Sequence, residues 1–229
     1  MRHQIVPGRY CVIRSIVFDL DGTLIDSLAD LASATNALIE ERGGVRLPDA
    51  AIAAMVGEGA AVLLRRALTA AGLDPETSGA LDRFLVLYDA RLLDRTVAYE
   101  GIPEALDTLG GDVPLSVLTN KPLRATERIL EGLGLRRHFQ HVVGGDSPFG
   151  RKPDPAALLH LIRVTGATPA DTVLVGDSPV DLATARRAGA LICLARYGFG
   201  YRFDRGDFTG DELFIDRPAE LLTVTRPFR

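Results

Sequence analysis

Short runs of apolar, often β-branched residues recur along the chain, and amphipathic patterns typical of helices separate most of them. Such runs suit strands that are buried on both faces of a parallel sheet. The predicted strands are 11–20, 114–118, 141–143, 172–175 and 191–194, and helical patterns include 123–133 and 155–164. Alternating strands and helices predict a doubly wound α/β fold with a parallel, Rossmann-type sheet. Ligands of such sheets bind at the carboxyl ends of the strands.

The stretch from residue 27 to about residue 95 contains no predicted strand. Apolar residues recur there at helical spacing from Leu28 to Ile39, behind Asp26 and Ser27, which are suited to capping a helix. Two further helical patterns cover 60–71 and 78–93. We therefore predict an all-α helical cap domain, 26–97, inserted into an α/β core domain formed by 1–25 and 98–229. An insertion at the ligand-binding edge of a sheet is well placed to act as a lid.

Charge and hydropathy limit the classes of partner. The chain has 229 residues with 26 basic and 30 acidic side chains, a net charge of −4, and no basic surface suited to nucleic acid or anionic membrane. No apolar run approaches the length of a membrane span, and residues 1–10 lack a signal-peptide core. Cys11 and Cys193 lie in apolar runs and do not form a disulfide framework. We expect a cytoplasmic protein, monomeric or homodimeric, whose partner is a small molecule.

Two carboxylates stand where the first predicted strand ends. Asp19 and Asp21 lie two positions apart, and Gly22 permits a sharp turn that brings main-chain N–H groups close to an anion. With a reference pKa of about 3.9, an aspartate is ionised at neutral pH and can attack phosphorus directly. The second carboxylate can then act as general acid and base. The D-x-D-G pattern also occurs in turns and calcium loops, so its meaning depends on the other strand ends.

Hydroxyl, amide and ammonium groups follow the later strands. Thr119 and Asn120 come directly after the second predicted strand and are suited to binding the oxygens of a phosphoryl group. Lys121 and Lys152 are the two lysines among the 26 basic residues, and both fall in loops at strand ends. A lysine is a compact cation, whereas the planar fork of an arginine needs more room. We therefore expect Lys152 to neutralise both the attacking carboxylate and the incoming phosphate.

A further pair of acids follows the strand predicted at 172–175. Asp177 and Asp181 lie four positions apart at the start of a helix. Mg²⁺ prefers oxygen ligands and offsets the repulsion between an anionic nucleophile and an anionic substrate. We expect Asp177 to bind Mg²⁺ directly and Asp181 to hold a water or a neighbouring side chain in a second shell. Together, the strand-end loops predict one site for phosphoryl transfer.

These loops resemble, in order, the four motifs of the haloacid dehalogenase-like superfamily of phosphohydrolases, and the resemblance extends over about 12–222. The matching segments are 19–24 (DLDGTL), Thr119, Lys152-Pro153 and 176–181. The resemblance implies that Asp19 is the nucleophile and a Mg²⁺ ligand. It also implies that Asp21 is the acid and base, with its backbone carbonyl on the metal, and that Asp177 is the third protein ligand.

The helical insertion is similar to the all-α cap of the subgroup that includes the phosphoglycolate phosphatases. Weaker similarities to that subgroup lie at 55–60, 119–122 and 197–201. The resemblance implies a Mg²⁺-dependent phosphatase that forms an aspartyl-phosphate intermediate and hydrolyses a small phosphomonoester, with 2-phosphoglycolate as the leading candidate. Gly57 is then a substrate-binding residue, because the glycine turn around it can present N–H groups to the carboxylate. A helical cap over the sheet edge predicts a small volume suited to a compact acid.

Other activities stay open at this point. Pyrophosphatases, nucleotidases and sugar-phosphate phosphatases of the same superfamily share every catalytic residue. A phosphate-binding scaffold without turnover is disfavoured, because a binding protein gains nothing from a nucleophile placed beside an acid. The sequence does not define the exact substrate, the oligomeric state, the pathway or the role of residues 1–10.

Overall fold

The computed structural model describes residues 12–224. Its strands are β1 (Ser15–Phe18), β2 (Ile25–Asp26), β3 (Val97–Ala98), β4 (Leu115–Leu118), β5 (His141–Val143), β6 (Thr172–Gly176), β7 (Leu191–Ala195) and β8 (Leu213–Ile215). Its α-helices are α1 (Leu28–Glu41), α2 (Asp49–Ala53), α3 (Ala60–Ala70), α4 (Ala80–Asp89), α5 (Ile102–Gly110), α6 (Leu123–Gly132), α7 (Ala156–Val164), α8 (Pro179–Ala188) and α9 (Leu221–Val224).

The main sheet has six parallel strands in the order β5-β4-β1-β6-β7-β8. Strand β1 lies at its centre, and successive side chains of a strand point to opposite faces. Ile16 and Phe18 accordingly pack into one hydrophobic core, whereas Val17 packs into a second core with α7 and α8. Because both faces of the sheet are covered, apolar residues run continuously along β1. The predicted doubly wound α/β fold is confirmed.

Four helices, α1 to α4, lie between β2 and β3, and we call them the helical segment. Strands β2 and β3 pair antiparallel in a separate two-stranded ribbon. The carboxylate of Asp30, buried in α1, accepts hydrogen bonds from the backbone N–H groups of Arg95 (3.0 Å) and Thr96 (2.8 Å) and from the Thr96 hydroxyl (2.7 Å). These bonds join the start of the helical segment to the chain that leaves it. We propose that the ribbon connects the predicted cap, 26–97, to the predicted core.

Several boundaries differ from the sequence-based predictions. Strand β1 is shorter than 11–20, because the chain turns after Phe18 and the Leu20 carbonyl accepts hydrogen bonds from the backbone N–H groups of Thr23, Leu24 and Ile25. Cys11 and residues 1–10 lie outside the described residues. Asp26, rather than Ser27, caps α1, since its Oδ1 accepts from Leu28 N at 3.1 Å. Strand β8 was not predicted. Within 12–224, no helix is both long and apolar enough to cross a lipid bilayer.

Candidate active site

Three neighbouring strands deliver polar side chains to one edge of the sheet. Strand β1 pairs with β4 on one side and with β6 on the other, all in parallel. Asp19 follows β1, Thr119 follows β4, and Asp177 follows β6. Their carboxyl ends therefore meet at the same edge, as the sequence predicted. All three side chains are buried.

Lys152 lies between two buried carboxylates. Its Nζ is 2.7 Å from Oδ1 of Asp19 and 2.6 Å from Oδ1 of Asp181, and its side chain is only 2% exposed. Burial alone would lower the pKa of Lys152, but the charges of Asp181 and Asp19 outweigh it and raise the pKa above the usual value. The chain therefore keeps a permanent ammonium group beside Asp19, as expected for the predicted charge neutraliser.

Burial changes the ionisation of Asp19. It raises the pKa of Asp19 to about 7, against the opposing charge of Lys152. The reference value on which the sequence argument relied does not hold for a carboxylate removed from water. Full ionisation of Asp19 at neutral pH consequently depends on positive charge placed beside it.

Both carboxylate oxygens of Asp181 accept hydrogen bonds from neighbouring groups. Its Oδ1 accepts from Lys152, and its Oδ2 accepts from Ser178 N at 3.1 Å and from Ser178 Oγ at 2.5 Å. The sequence forms a capping box there, with Ser178 at the N-cap of α8 and Pro179 in its first turn. Both oxygens of Asp181 are thus occupied, which agrees with the predicted second-shell role.

Glycines enclose the carboxylate of Asp177. Gly200 N donates to its Oδ2 at 2.7 Å. A Cβ atom at Gly22 or Gly198 would overlap the Asp177 side chain, and the backbone of Gly22 has a positive φ of 86°. Burial, reinforced by the negative charge of Asp181, raises the pKa of Asp177 well above its ordinary value. The glycine-rich loop 197–201 therefore belongs to the site.

Buried oxygen ligands converge in a way that fits a hard cation. One carboxylate oxygen from each of Asp19, Asp177 and Asp181 lies within 4.8 Å of the others. Three buried acids beside one ammonium group leave an excess of negative charge, which is costly in a protein interior unless it is paired or coordinated to a metal. Divalent cations that prefer oxygen ligands match this donor set. The carboxylate of Asp21 does not belong to this cluster.

Asp21 instead forms a separate pair with Lys121. Lys121 Nζ is 2.8 Å from Oδ1 and 2.9 Å from Oδ2 of Asp21, and Ser27 Oγ donates to Oδ1 at 2.5 Å. Burial alone would lower the pKa of Lys121, but the charge of Asp21 raises it above the usual value. The sequence placed Lys121 in a strand-end loop with Thr119 and Asn120, among the groups suited to binding phosphate, but it did not predict the pairing with Asp21. The scarcity of lysine in this chain was the feature that drew attention to Lys121.

The residues expected to bind substrate differ in whether their hydrogen-bond donors are still free. Thr119 Oγ1 accepts from Lys121 N at 3.2 Å, which leaves the hydroxyl proton available. Asn120 Nδ2 donates to the backbone carbonyls of Gly57 and Lys152, both at 2.9 Å. Both N–H donors of the Asn120 amide are therefore used within the protein. This arrangement favours a role in joining loops over direct binding of phosphate.

A cavity of about 560 Å³ lies between this edge and the helical segment. Asp19, Asp21, Thr119 and Asp177 line it, together with Gly57. The helical segment contributes mainly apolar side chains, which include Leu31, Leu63, Phe84, Tyr88 and Leu92. The volume falls within the ordinary range of small-ligand sites, roughly 300 to 1,000 Å³. This volume suits a small ligand but does not by itself distinguish one small phosphate ester from another, so selection among substrates must come from the groups that line the cavity.

Comparisons with known proteins agree with this geometry. A family model described as haloacid dehalogenase-like hydrolase matches residues 16–195. The phosphoglycolate phosphatase of Chromobacterium violaceum is 38% identical over 219 residues, which cover 93% of this chain and 97% of that relative. The phosphoglycolate phosphatase of Rhodospirillum rubrum is 41% identical over 194 residues, covering 81% and 80% of the two chains. A solved structure of a predicted phosphoglycolate phosphatase from Haemophilus somnus superposes with a TM-score of 0.87 at 30% identity, covering 95% and 100%.

Proposed function

We propose how this chain, which belongs to the haloacid dehalogenase-like hydrolase family and is a phosphoric monoester hydrolase, selects and cleaves its substrate. The proposed reaction converts 2-phosphoglycolate and water into glycolate and phosphate, with Mg²⁺ as cofactor. The relatives from Chromobacterium violaceum and Rhodospirillum rubrum are named phosphoglycolate phosphatases, which supports 2-phosphoglycolate as the substrate. The observation that carries the mechanism is the buried ion-paired group of Asp19, Lys152 and Asp181 beside Asp177. Asp19 and Asp177 line the cavity.

The first step transfers the phosphoryl group to Asp19. A carboxylate oxygen of Asp19 attacks phosphorus, the bond between phosphorus and the glycolate oxygen breaks, and the leaving oxygen takes a proton from Asp21. Lys152 offsets the negative charge that Asp19 and the phosphate bring together, since its Nζ already lies 2.7 Å from Asp19. The Thr119 hydroxyl is free to donate to a phosphoryl oxygen.

The second step returns Asp19 to its carboxylate form. Asp21 takes a proton from water, the resulting hydroxide attacks phosphorus, and the bond between phosphorus and Asp19 breaks. The proton given in the first step is thereby recovered, so the enzyme is unchanged after one turnover. In this structure Lys121 and Ser27 donate hydrogen bonds to Asp21, which hold its side chain in place beside the site.

The residues present fit a Mg²⁺ ion. Asp19 and Asp177 would hold it through their carboxylates and Asp21 through its backbone carbonyl, whereas both oxygens of Asp181 are already occupied. When bound, Mg²⁺ would lower the repulsion between the anionic nucleophile and the anionic substrate. It would also favour the ionised form of Asp19, whose pKa burial raises to about 7 despite the opposing charge of Lys152.

We propose that the helical segment acts as the cap over this reaction. The Asn120 amide bonds to the Gly57 carbonyl, so the loop before α3 is held directly against the phosphoryl site. Gly57 and Gly59 have positive φ values of 122° and 92°, which allow this loop to turn sharply over the cavity. A backbone N–H contact from Gly57 to the substrate stays a prediction.

A substrate comparison tests the proposal. Phosphate release should be measured with 2-phosphoglycolate, pyrophosphate, AMP and a sugar phosphate, each with and without Mg²⁺, and with Asp19→Asn as the matched inactive control. We expect 2-phosphoglycolate to give the highest kcat/KM and Mg²⁺ to be required. A clearly better rate with pyrophosphate, AMP or the sugar phosphate would assign the chain to that substrate instead. Absence of turnover with every ester would support a scaffold.

A further inference from the structure

The cavity contains a buried cation that the proposed chemistry leaves without a role toward substrate. Among the described residues that line the cavity, Lys121 and Arg124 are the cations. The Arg124 side chain is 83% exposed and lies 4.0 Å from Asp89, whereas the Lys121 side chain is 4% exposed. Of these two cations, Lys121 is the one whose positive charge is shielded from water, and charge interactions are strongest where water is excluded.

Lys121 has donor capacity beyond its bonds to Asp21. An ammonium group carries three N–H donors, and the two oxygens of Asp21 account for two of them. On another side, Lys121 Nζ lies 4.8 Å from the centre of the Tyr88 ring. An anion that enters the cavity can thus share the ammonium group with Asp21.

Tyr88 supplies a second unused donor next to Lys121. It lies in α4 and lines the cavity, and the residue is 4% exposed. Its hydroxyl oxygen lies close enough to the Lys121 ammonium group to interact with it, but the hydroxyl proton has no acceptor among the described residues. Buried hydroxyl protons almost always have an acceptor, because an unsatisfied buried donor is costly. A hydroxyl proton without an acceptor, beside a buried ammonium group, is a feature expected of an anion subsite.

We propose that the Lys121 ammonium group and the Tyr88 hydroxyl bind the carboxylate of the substrate. This inference rests on the proposed function, because it concerns the part of a phosphorylated acid that does not react. In the proposed reaction, Asp19, Thr119 and Lys152 interact with the phosphate group of the substrate. Lys121 pairs with Asp21 rather than Asp19, so its ammonium group belongs with the acid and base that serves the leaving oxygen. A carboxylate attached to the leaving group would therefore lie on the same side of the site as Asp21 and Lys121.

The subsite also explains how a cavity of about 560 Å³ could select a compact acid. Apart from the Tyr88 hydroxyl, the walls that the helical segment contributes are mainly apolar, so they offer little else to a carboxylate. An ester without a carboxylate would leave the Tyr88 hydroxyl unsatisfied, whereas 2-phosphoglycolate would satisfy it. Sites built to pair a polar group of the substrate reject analogues that lack it.

The test compares 2-phosphoglycolate with ethyl phosphate, which lacks the carboxylate. For each enzyme, the readout is the ratio of kcat/KM for 2-phosphoglycolate to kcat/KM for ethyl phosphate. We expect this ratio to fall about 100-fold in Lys121→Met and about 10-fold in Tyr88→Phe, with most of the change in KM, in keeping with the loss of a charged and a neutral hydrogen bond. Lys121→Arg keeps the cation and should retain part of the preference. Arg124→Met, a cation at the exposed edge of the same cavity, serves as the control and should keep the wild-type ratio.

The outcomes separate this inference from the proposed function. Loss of the Lys121 partner can lower the rate with both esters through Asp21, but it changes the ratio only if the ammonium group contacts the carboxylate. A wild-type ratio in Lys121→Met or in Tyr88→Phe would overturn the proposed pair. If Lys121→Met does not fold, Tyr88→Phe and Lys121→Arg decide the matter. A wild-type enzyme that hydrolyses both esters equally well would instead refute the substrate assignment.

Discussion

Replacing Lys152 with methionine removes the one ammonium group that contacts both Asp19 and Asp181. The two contacts are 2.7 and 2.6 Å long and almost fully shielded from water. Removing one partner of a buried ion pair costs roughly 3–5 kcal/mol, because the remaining charge is left uncompensated. For a chain of this size, about 2–4 °C of Tm is lost per kcal/mol, so we expect Lys152→Met to melt roughly 6–20 °C below the wild type.

The same substitution should impair catalysis beyond its effect on stability. The charge of Lys152 opposes the burial that raises the pKa of Asp19 to about 7. Without it, the pKa of Asp19 rises further, and less of the nucleophile is ionised at neutral pH. Loss of a preorganised charge of this kind typically lowers kcat by about 100- to 1,000-fold. The acid limb of the pH profile of kcat/KM should move to higher pH.

Lys152→Arg separates charge from shape. Arginine keeps the positive charge, but its planar fork must fit where a compact ammonium group contacts two carboxylates. We expect kcat/KM to fall about 100-fold with a smaller loss of Tm, since overpacking costs roughly 1–3 kcal/mol. Arg151→Met controls for changes in the same loop, because the Arg151 side chain bonds only to the Gly145 carbonyl among its described hydrogen bonds. Wild-type kcat/KM in Lys152→Arg or Lys152→Met, measured by phosphate release, would refute the assigned role.

Three further changes test other parts of the site. Asp19→Asn should abolish phosphate release while circular dichroism shows an intact fold, because the amide is nearly isosteric but is not a competent nucleophile; substantial turnover would exclude the covalent route. Chelation should remove activity, and Mg²⁺ but not Ca²⁺ should restore it, since Ca²⁺ takes more ligands at longer distances; full activity in Ca²⁺ would contradict this. Asn120→Ala should raise KM by about 10-fold, because it removes the hydrogen bond between the Asn120 amide and the Gly57 loop. An unchanged KM would show that this bond does not hold the loop.

Much of the site could be predicted because strand ends impose geometry. The apolar runs before Asp19, Thr119 and Asp177 are long enough to identify as buried strands, and the carboxyl ends of parallel strands share one edge. The two edge strands of the sheet have three residues each, and of these β5 was predicted whereas β8 was not. Three residues carry too little of a pattern to identify an edge strand reliably, whereas the longer inner strands were all predicted.

Pairings between distant segments could not be predicted in the same way. Asp21 and Lys121 are 100 residues apart, and Asp30 and Thr96 are 66 residues apart. A sequence pattern places each residue on a helix, a strand or a loop, but it does not say toward which neighbour the side chain turns. For the same reason Asn120 was expected to face the substrate, although its amide joins two loops. The cavity volume likewise depends on how helices pack, which periodicity does not describe.

The central claim is that the phosphoryl group passes through Asp19. The most direct test is to mix the protein with 2-phosphoglycolate and Mg²⁺, quench within the first turnover in acid, and analyse the peptides by mass spectrometry. We expect one added phosphoryl group on the peptide that contains Asp19, and we expect it to be absent from Asp19→Asn. In Asp21→Asn the group should accumulate with an activated ester, whose leaving oxygen needs no acid, because hydrolysis of the intermediate still requires Asp21. Rapid phosphate release from the wild type with no phosphorylated peptide in either the wild type or Asp21→Asn would contradict the account.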